Sequence, residues 1–238
     1  MAKASSPVIA QALAELRAAM AANGVTHALC ISTTIAGFPK VRSIAEAHGN
    51  FWCSVGVHPD TEGAEETTQE ELVALASHPK VVAIGETGLD YFRATDRPEW
   101  QRERFRTHIR AARKTRKPLI IHTRSAAEDT IRIMREEGAG DAGGVMHCFT
   151  ETREVAMDAL DLGFYISFSG IVTFKSAAAL REVAREVPLD RIVAVVNEDV
   201  IMQSELDNKV RAARAQIRQQ NDDMPPGDVL EKQMLENI

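Results

Sequence analysis

The sequence has few cysteines and no long uncharged hydrophobic run. Its three cysteines, Cys30, Cys53 and Cys148, are far apart and form no Cys-x-x-Cys pair. This spacing argues against a zinc ribbon and a disulfide framework, and it fits buried thiols in a reducing compartment. No stretch approaches the roughly 20 apolar residues of a membrane span, and Glu15 and Arg17 interrupt the apolar positions that a secretory signal would need. We therefore expect a soluble cytoplasmic protein without membrane contact.

The chain also lacks an excess of basic residues. It has 28 Lys and Arg against 34 Asp and Glu, so its formal net charge is −6. A protein that coats nucleic acids carries a broad basic surface, and the charge argues against that class. A nuclease is not excluded, because an acidic site that holds a metal ion can take up phosphate through the metal. The length of 238 residues allows one large domain or two small ones.

Short apolar runs alternate with amphipathic segments along most of the chain. The pattern predicts strands at 25–32, 51–57, 81–84, 119–121, 144–146, 164–168 and 192–196. It predicts helices at 7–23, 38–48, 68–77, 98–117, 126–137, 151–162 and 176–186, followed by helices at 203–220 and from 228 onward. Most of the strands are continuous apolar runs, which indicates a parallel sheet covered by helices on both faces in an α/β fold.

Two architectures fit this alternation, a doubly wound sheet and a (β/α) barrel. No Gly-x-Gly-x-x-Gly or Gly-x-x-x-x-Gly-Lys loop follows any predicted strand, so a nucleotide-binding open sheet loses its best support. Barrels place their functional groups at the carboxyl ends of several strands. Glu86, His122 and His147 each come directly after a predicted strand. The pattern therefore favours a barrel.

These three residues are candidates for a catalytic metal site. In a barrel, Glu86, His122 and His147 would all face the same mouth, and two imidazoles with one carboxylate are a common ligand set for a divalent ion that keeps an open position for water. Such an ion would polarise a phosphoryl or carbonyl oxygen. A carboxylate that caps the following turn is the alternative for Glu86, and a structural role is the alternative for each histidine. The agreement of three strand ends favours the metal site.

Other polar residues near the predicted mouth have two interpretations each. His58 could line the mouth and contact substrate, or form a turn with Pro59. Arg93 and Arg124 flank the mouth, where they could bind a phosphate bidentately or form surface ion pairs. Asp90 is either an acid that supports the site or a turn residue. The remaining histidines are interpreted as structural or solvated, and they are His27, His48, His78 and His108.

Five segments follow one another in the chain as SVGVHPD, VVAIGETGLDYFR, KPLIIHTRSAAEDT, GGVMHCFTE and GFYISFSGIVTFK. They resemble the motifs of the TatD-type metal-dependent deoxyribonucleases, which belong to the amidohydrolase-like barrels. The resemblance runs from about residue 7 to 191. It implies a (β/α) barrel, one or two divalent ions (Mg, Mn or Zn), and hydrolysis of phosphodiester bonds in DNA. It also implies that Glu86, His122 and His147 are metal ligands.

Two parts of that family pattern do not match this sequence. The family opens with a strand that carries a His-x-His pair, usually in an SHCHLD-like segment, and nothing before Val25 resembles it. The resemblance therefore implies an incomplete TIM-type barrel whose first strand is missing, with an open edge that favours self-association. The family's closing strand ends in an ETDSP-like segment. Its Asp falls by spacing at Asn197, which Glu198 and Asp199 follow. An amide cannot act as a base, so we expect impaired activity.

The end of the chain is similar to a different family. The segment LDRIVAVVNEDVI, followed by MQSELD and PPGDVLEKQMLENI, resembles the start of the mature SurA-type periplasmic peptidyl-prolyl isomerases and chaperones. We therefore expect two units, a TatD-like barrel over 1–191 and a SurA-like fragment over 192–238 that forms a helical C-terminal extension. The alternatives to a hydrolase are then a fragment that binds unfolded chains and an inactive fusion of two unrelated sequences.

Overall fold

The computed structural model describes residues 7–194 apart from 62, 64, 65, 95 and 97. Its α-helices are α1 (Pro7–Ala22), α2 (Phe38–Ala47), α3 (Gln69–Ala76), α4 (Glu99–Thr115), α5 (Ala127–Glu136), α6 (Arg153–Asp161) and α7 (Ala178–Glu186). Its strands are β1 (Ala28–Cys30), β2 (Phe51–Val55), β3 (Val81–Asp90), β4 (Leu119–Arg124), β5 (Gly144–Met146), β6 (Tyr165–Phe168) and β7 (Ile192–Ala194). Short 3-10 helices lie at Ala139–Asp141, Gly170–Thr173 and Leu189–Arg191.

The strands of the described part form one parallel sheet in the order β1-β2-β3-β4-β5-β6-β7. A helix lies between each strand and the next, as parallel pairing of consecutive strands requires. Pairing in chain order is the pattern of a (β/α) barrel, whereas a doubly wound sheet reverses its strand order at a switch point. The predicted α/β class and barrel architecture are therefore confirmed. Within the described residues the sheet is curled but open, because β1 and β7 each have one strand neighbour.

The core lies between this sheet and the helices on its outer face. On α4, Phe105 and Ile109 are fully buried, and they pack in one cluster with Leu119 and Ile121 of β4. Each fully buried side chain of this size contributes about 1.5–3 kcal/mol. Phe105 and Ile109 thus anchor the charged helix α4 against the sheet. No helix in this part of the chain combines the length and the hydropathy that crossing a membrane demands.

Two strands are longer than their apolar runs predict, because β3 continues to Asp90 and β4 continues to Arg124. Glu86 and His122 consequently lie within strands, and the prediction that each follows a strand end is wrong. His147 does follow β5 directly. The predicted helices at 203–220 and from 228 onward, and with them the C-terminal extension, lie outside the described residues. The same holds for Asn197, Glu198 and Asp199.

A buried histidine links α4 to the segment after β2. His108 is fully buried. Its Nδ1–H donates to the Arg104 carbonyl at 2.7 Å, and its Nε2 accepts the Val57 backbone N–H at 3.0 Å. This pair of bonds requires the neutral ring, and burial lowers the pKa of His108 to about 4. Its role is therefore structural, and it fixes the backbone that leads into His58.

We expect folding stability to depend on the protonation of His108. Its pKa is about 4 in the folded protein and about 6.5 in an unfolded chain. The neutral ring therefore stabilises the fold above about pH 6.5, and this contribution, on the order of 3 kcal/mol, is lost as the pH falls towards about 4. In His108→Gln the amide can accept the Val57 N–H but does not titrate. Urea unfolding across this pH range should show a wild-type advantage that shrinks with acid, and a constant difference would contradict the assignment.

Candidate metal centre

Glu86 lies at a break in the pairing of β3 with β4. Ile84 pairs with Leu119 and Thr87 pairs with Ile121, so β3 has one more residue than β4 between these two pairs. Such a bulge changes the direction of the side chains that it contains. The Glu86 side chain is 12% exposed and faces the imidazoles of the neighbouring segments. Local backbone irregularity therefore places a largely buried carboxylate inside the mouth, where the carboxyl ends of the strands meet.

Three imidazoles surround one oxygen of Glu86. Its Oε1 lies 3.7 Å from His122 Nδ1, 3.9 Å from His58 Nε2 and 4.0 Å from His147 Nε2. His122 lies on β4, His58 lies in the segment after β2, and His147 directly follows β5. Because adjacent strands are about 4.8 Å apart, groups from β3 and β5 can approach this closely only on the inner side of a curled sheet. The structure thus brings Glu86, His122 and His147 together, as the sequence predicts, and adds His58.

The donor set fits a divalent metal ion. Two atoms bound to one ion at about 2.1 Å lie no more than about 4.2 Å apart, and all three Glu86–imidazole separations fall within that limit. Within the described ranges, ligand atoms of His58, Glu86 and His122 all lie within 4.8 Å of one another. This trio includes His58, for which the sequence leaves open a place at the mouth or a turn with Pro59, and it omits His147. The predicted roles of the individual residues stay predictions.

The charged groups at the centre shift one another's pKa values. Burial opposes ionisation of Glu86, but contacts with His122, His147 and His58 outweigh it, so the pKa of Glu86 lies below its usual range. Burial opposes protonation of His122, yet Glu86 and Asp90 raise its pKa. The adjacent cysteine and Glu86 together outweigh burial and raise the pKa of His147. A negative carboxylate thus lies beside two imidazoles whose pKa values are raised, those of His122 and His147, and a metal ion would replace their protons.

Asp90 is buried behind His122. Its Oδ2 lies 3.1 Å from His122 Nε2, and its Oδ1 accepts the Arg93 backbone N–H at 3.0 Å. A carboxylate in this position holds the proton on Nε2 and leaves Nδ1 directed at Glu86 as a donor for a metal. The sequence leaves open whether Asp90 supports the site or forms a turn. The structure shows both contacts.

Asp60 connects His58 with one of the two predicted phosphate-binding arginines. Its Oδ1 lies 2.5 Å from His58 Nδ1, which leaves Nε2 directed at Glu86, and its Oδ2 lies 3.6 Å from Arg93 Nε. The Arg93 side chain is 63% exposed, so it remains accessible to a ligand. The other predicted arginine, Arg124, lies with its guanidinium 3.8 Å above the centroid of the Phe92 ring.

A further carboxylate at the mouth is absent from the sequence prediction. Glu151 is partly buried, accepts the backbone N–H of Ser125, and lies close enough to His122 to interact with its charge. Burial raises the pKa of Glu151 against these two opposing contacts. Its place in the MHCFTE segment, shortly after His147, is the only sequence indication of its position.

Comparison with protein families agrees with this geometry. The model described as TatD related DNase matches residues 5–194. This chain belongs to the TatD-related DNase family. The resemblance of the five motifs is thereby confirmed. A second model, the SurA N-terminal domain, matches residues 189–238 of the TatD-family chain, and this match begins where the sequence indicates a change of family.

Two curated relatives illustrate what the TatD-family chain is similar to. The uncharacterized metal-dependent hydrolase YcfH of Escherichia coli K12 is 48% identical over 179 residues, which cover 75% of this chain and 67% of that protein. The 3'-5' ssDNA/RNA exonuclease TatD of Citrobacter koseri is 30% identical over 195 residues, which cover 81% of this chain and 75% of that protein. The family is thus one of metal-dependent hydrolases that includes a nuclease.

Solved structures support the same fold for this TatD-family chain. A hydrolase TatD family protein from Entamoeba histolytica has a TM-score of 0.64 at 29% identity, with 75% of this chain and 62% of that chain covered. YJJV, a TatD homolog from Escherichia coli K12, has a TM-score of 0.73 at 24% identity, with 97% of this chain and 91% of that chain covered. The second likeness shows the fold alone. The chain spans less than two thirds of the Entamoeba protein, so the activity of whole relatives can only be proposed for it.

Proposed function

We propose that this protein is a metal-dependent hydrolase of phosphodiester bonds in single-stranded DNA. The observation that carries the proposal is the convergence of His58, His122 and His147 on one oxygen of Glu86. Family membership supports the reaction class, and the relative named as an exonuclease supports nucleic acid as the substrate.

Each residue of the centre has a role in this proposal. Glu86, His122 and His147 would hold the divalent ion, with His58 beside them. The ion would supply a Lewis acid for a phosphoryl oxygen and make water nucleophilic at neutral pH. Mixed nitrogen and oxygen donors suit Mn²⁺ or Zn²⁺ better than Mg²⁺, which prefers oxygen ligands alone. Asp90 orients His122 through the 3.1 Å contact with Nε2.

The two arginines at the mouth would bind the phosphates of the substrate. Arg93 is exposed and paired only loosely with Asp60, at 3.6 Å, so its planar guanidinium can form paired hydrogen bonds with a phosphate. Arg124 is exposed at the carboxyl end of β4, the strand that carries His122. Both cations therefore lie next to the carboxylate-imidazole cluster, in a protein whose formal net charge is −6.

Activity is proposed to be lower than that of relatives with the full family pattern. The resemblance places an aspartate of the closing segment where this chain has Asn197, and an amide is neither a base nor a charged ligand. Among the described residues, Glu86 is the carboxylate on which the imidazoles converge. A weakly bound ion and slow hydrolysis are the expected consequence.

Calorimetric titration with Mn²⁺, followed by hydrolysis of end-labelled single-stranded DNA, tests the proposal. We expect saturable metal uptake and slow, metal-dependent release of nucleotides that a chelator stops. Wild-type protein that takes up none of Mn²⁺, Zn²⁺ or Mg²⁺ would overturn the assignment of the centre. Metal uptake without any cleavage of DNA would leave the centre in place and overturn the substrate.

We also propose a second function for the end of the chain, in which the segment 192–238 binds unfolded chains. The match to the SurA N-terminal domain model over residues 189–238 favours it. A variant that ends at Ala194 keeps β7, which pairs with β6 in the sheet. If the proposal holds, this variant binds metal as the full chain does but no longer suppresses aggregation of a denatured client protein. Suppression equal to that of the full chain would rule it out, and absence of both activities would indicate an inactive fusion.

Two further properties are proposed from the described residues. Self-association through β1 is proposed because this strand pairs only with β2 in that part of the chain, and Leu29 on it is 42% exposed. Sedimentation over a range of concentrations measures it, and a monomer throughout would exclude it. A cytoplasmic location is proposed because Cys30 and Cys53 are free thiols, as expected in a reducing compartment.

A further inference from the structure

An exposed aromatic ring stands at the mouth, beside the candidate metal centre. Phe92 follows Asp90 by two residues, and Asp90 contacts His122. The ring is 59% exposed, so it adds little to the hydrophobic core. A single exposed apolar side chain is ordinary in a protein surface. The neighbours of Phe92 are what distinguish it.

Arg124 covers one face of the Phe92 ring. Its guanidinium carbon lies 3.8 Å from the ring centroid, which is close for a cation–π contact and holds the ring in a defined orientation. Because 59% of the Phe92 side chain is exposed, a second ring has room to stack on it. Arg124 ends β4 and is paired with Asp90, the last residue of β3, in the register of the two strands, and Phe92 follows Asp90 in the turn after β3. Phe92 and Arg124 are called the Phe92–Arg124 stack below.

The Phe92–Arg124 stack lies close to the metal centre. Arg124 is two residues beyond His122 on β4, so the two side chains leave the same side of the strand, and their backbones are about 7 Å apart. Arg93, the next residue after Phe92, lines a recess of about 160 Å³ with Asp60 and Trp100. One cation, Arg124, therefore lies over the ring, and a second, Arg93, follows Phe92 in the chain.

We propose that the Phe92–Arg124 stack binds a base of single-stranded nucleic acid, in the nucleotide next to the phosphate held at the metal centre. The inference rests on the proposed function and specifies how that site holds its substrate. Bases stack on aromatic rings without regard to sequence, because every base has a π face. Arg93 and Arg124 would neutralise the phosphates on either side of the stacked nucleotide.

Binding of labelled oligothymidine tests the inference without requiring hydrolysis. Fluorescence anisotropy, with Ca²⁺ in place of a catalytic ion, compares this ligand with an abasic oligomer of the same length. Phe92→Leu should weaken binding of oligothymidine on the order of 10-fold, while Phe92→Trp, which keeps a π face, should retain it. Neither variant should change the affinity for the abasic oligomer.

Tyr165→Leu is the matched control. Tyr165 is also an exposed aromatic residue with an arginine over its ring, Arg191, but it begins β6 and so lies at the amino end of the sheet. Its replacement should leave both affinities unchanged. Equal effects of Phe92→Leu on the two oligomers, or no effect on either, would overturn the stacking site. Wild type that binds oligothymidine but does not cleave DNA would overturn the hydrolase proposal alone, and wild type that binds neither oligomer would overturn both.

Discussion

Glu86→Gln is expected to abolish metal binding and, with it, metal-dependent hydrolysis of DNA. Oε1 of Glu86 is the atom that His122, His58 and His147 approach to within 3.7–4.0 Å. The amide has nearly the same shape but carries no charge, so the imidazoles lose the carboxylate that completes their ligand set. Residues that only orient a ligand change metal affinity by about 10- to 100-fold when they are removed. Loss of a central ligand should exceed that range.

Calorimetric titration of wild type and variant with Mn²⁺ measures the effect. Glu70→Gln is the matched control, because it makes the same chemical change in the first turn of α3 at an exposed position outside the centre. We expect the control to bind metal and cleave single-stranded DNA as wild type does. A Glu86→Gln protein that is folded and binds Mn²⁺ with unchanged affinity would remove Glu86 from the centre and leave the imidazoles as the only candidate ligands.

The barrel and the convergence of the centre could be predicted because their causes are local in the sequence. Continuous apolar runs alternating with amphipathic helices dictate a parallel sheet, and residues at the carboxyl ends of such strands meet at one mouth. His147 follows the short apolar strand β5 directly, so its position could be read from the sequence alone. For Glu86 the same reasoning gave the right place for an incorrect reason, since the strand continues past it to Asp90.

The parts that were missed depend on contacts between distant segments. Strand β3 continues through polar residues and glycines because it pairs with β4, and no local pattern predicts that pairing. His58 joins the centre only because Asp60 turns its ring and Nε2 then faces Glu86. The fold of the segment after β5 brings Glu151 close enough to His122 to interact with its charge. Hydrophobic periodicity reports which face of an element is buried, but it carries no information about such side-chain orientations.

Gly88→Ala is expected to destabilise the protein on the order of 4 kcal/mol, or to prevent folding, because overpacking and backbone strain act at the same position. Gly88 has φ +130°, a region that side chains rarely allow, and a Cβ atom there would lie 1.9 Å from the carbonyl oxygen of His122. Gly88 and His122 are paired in the register of β3 with β4. The obstacle is therefore backbone, which cannot rotate away as a flexible side chain would.

Gly49→Ala provides the control for this change. A methyl group added at Gly49 would meet no atom within 4 Å, and the residue has no positive φ, so its substitution should alter stability by no more than about 0.5 kcal/mol. Urea unfolding followed by circular dichroism compares the two variants with wild type. Because β3 and β4 carry Glu86 and His122, forcing these strands apart at Gly88 should also lower metal affinity in any folded fraction. A Gly88→Ala protein with the wild-type urea midpoint would show that the two strands are not held in this register, and the placement of the metal centre would fall with it.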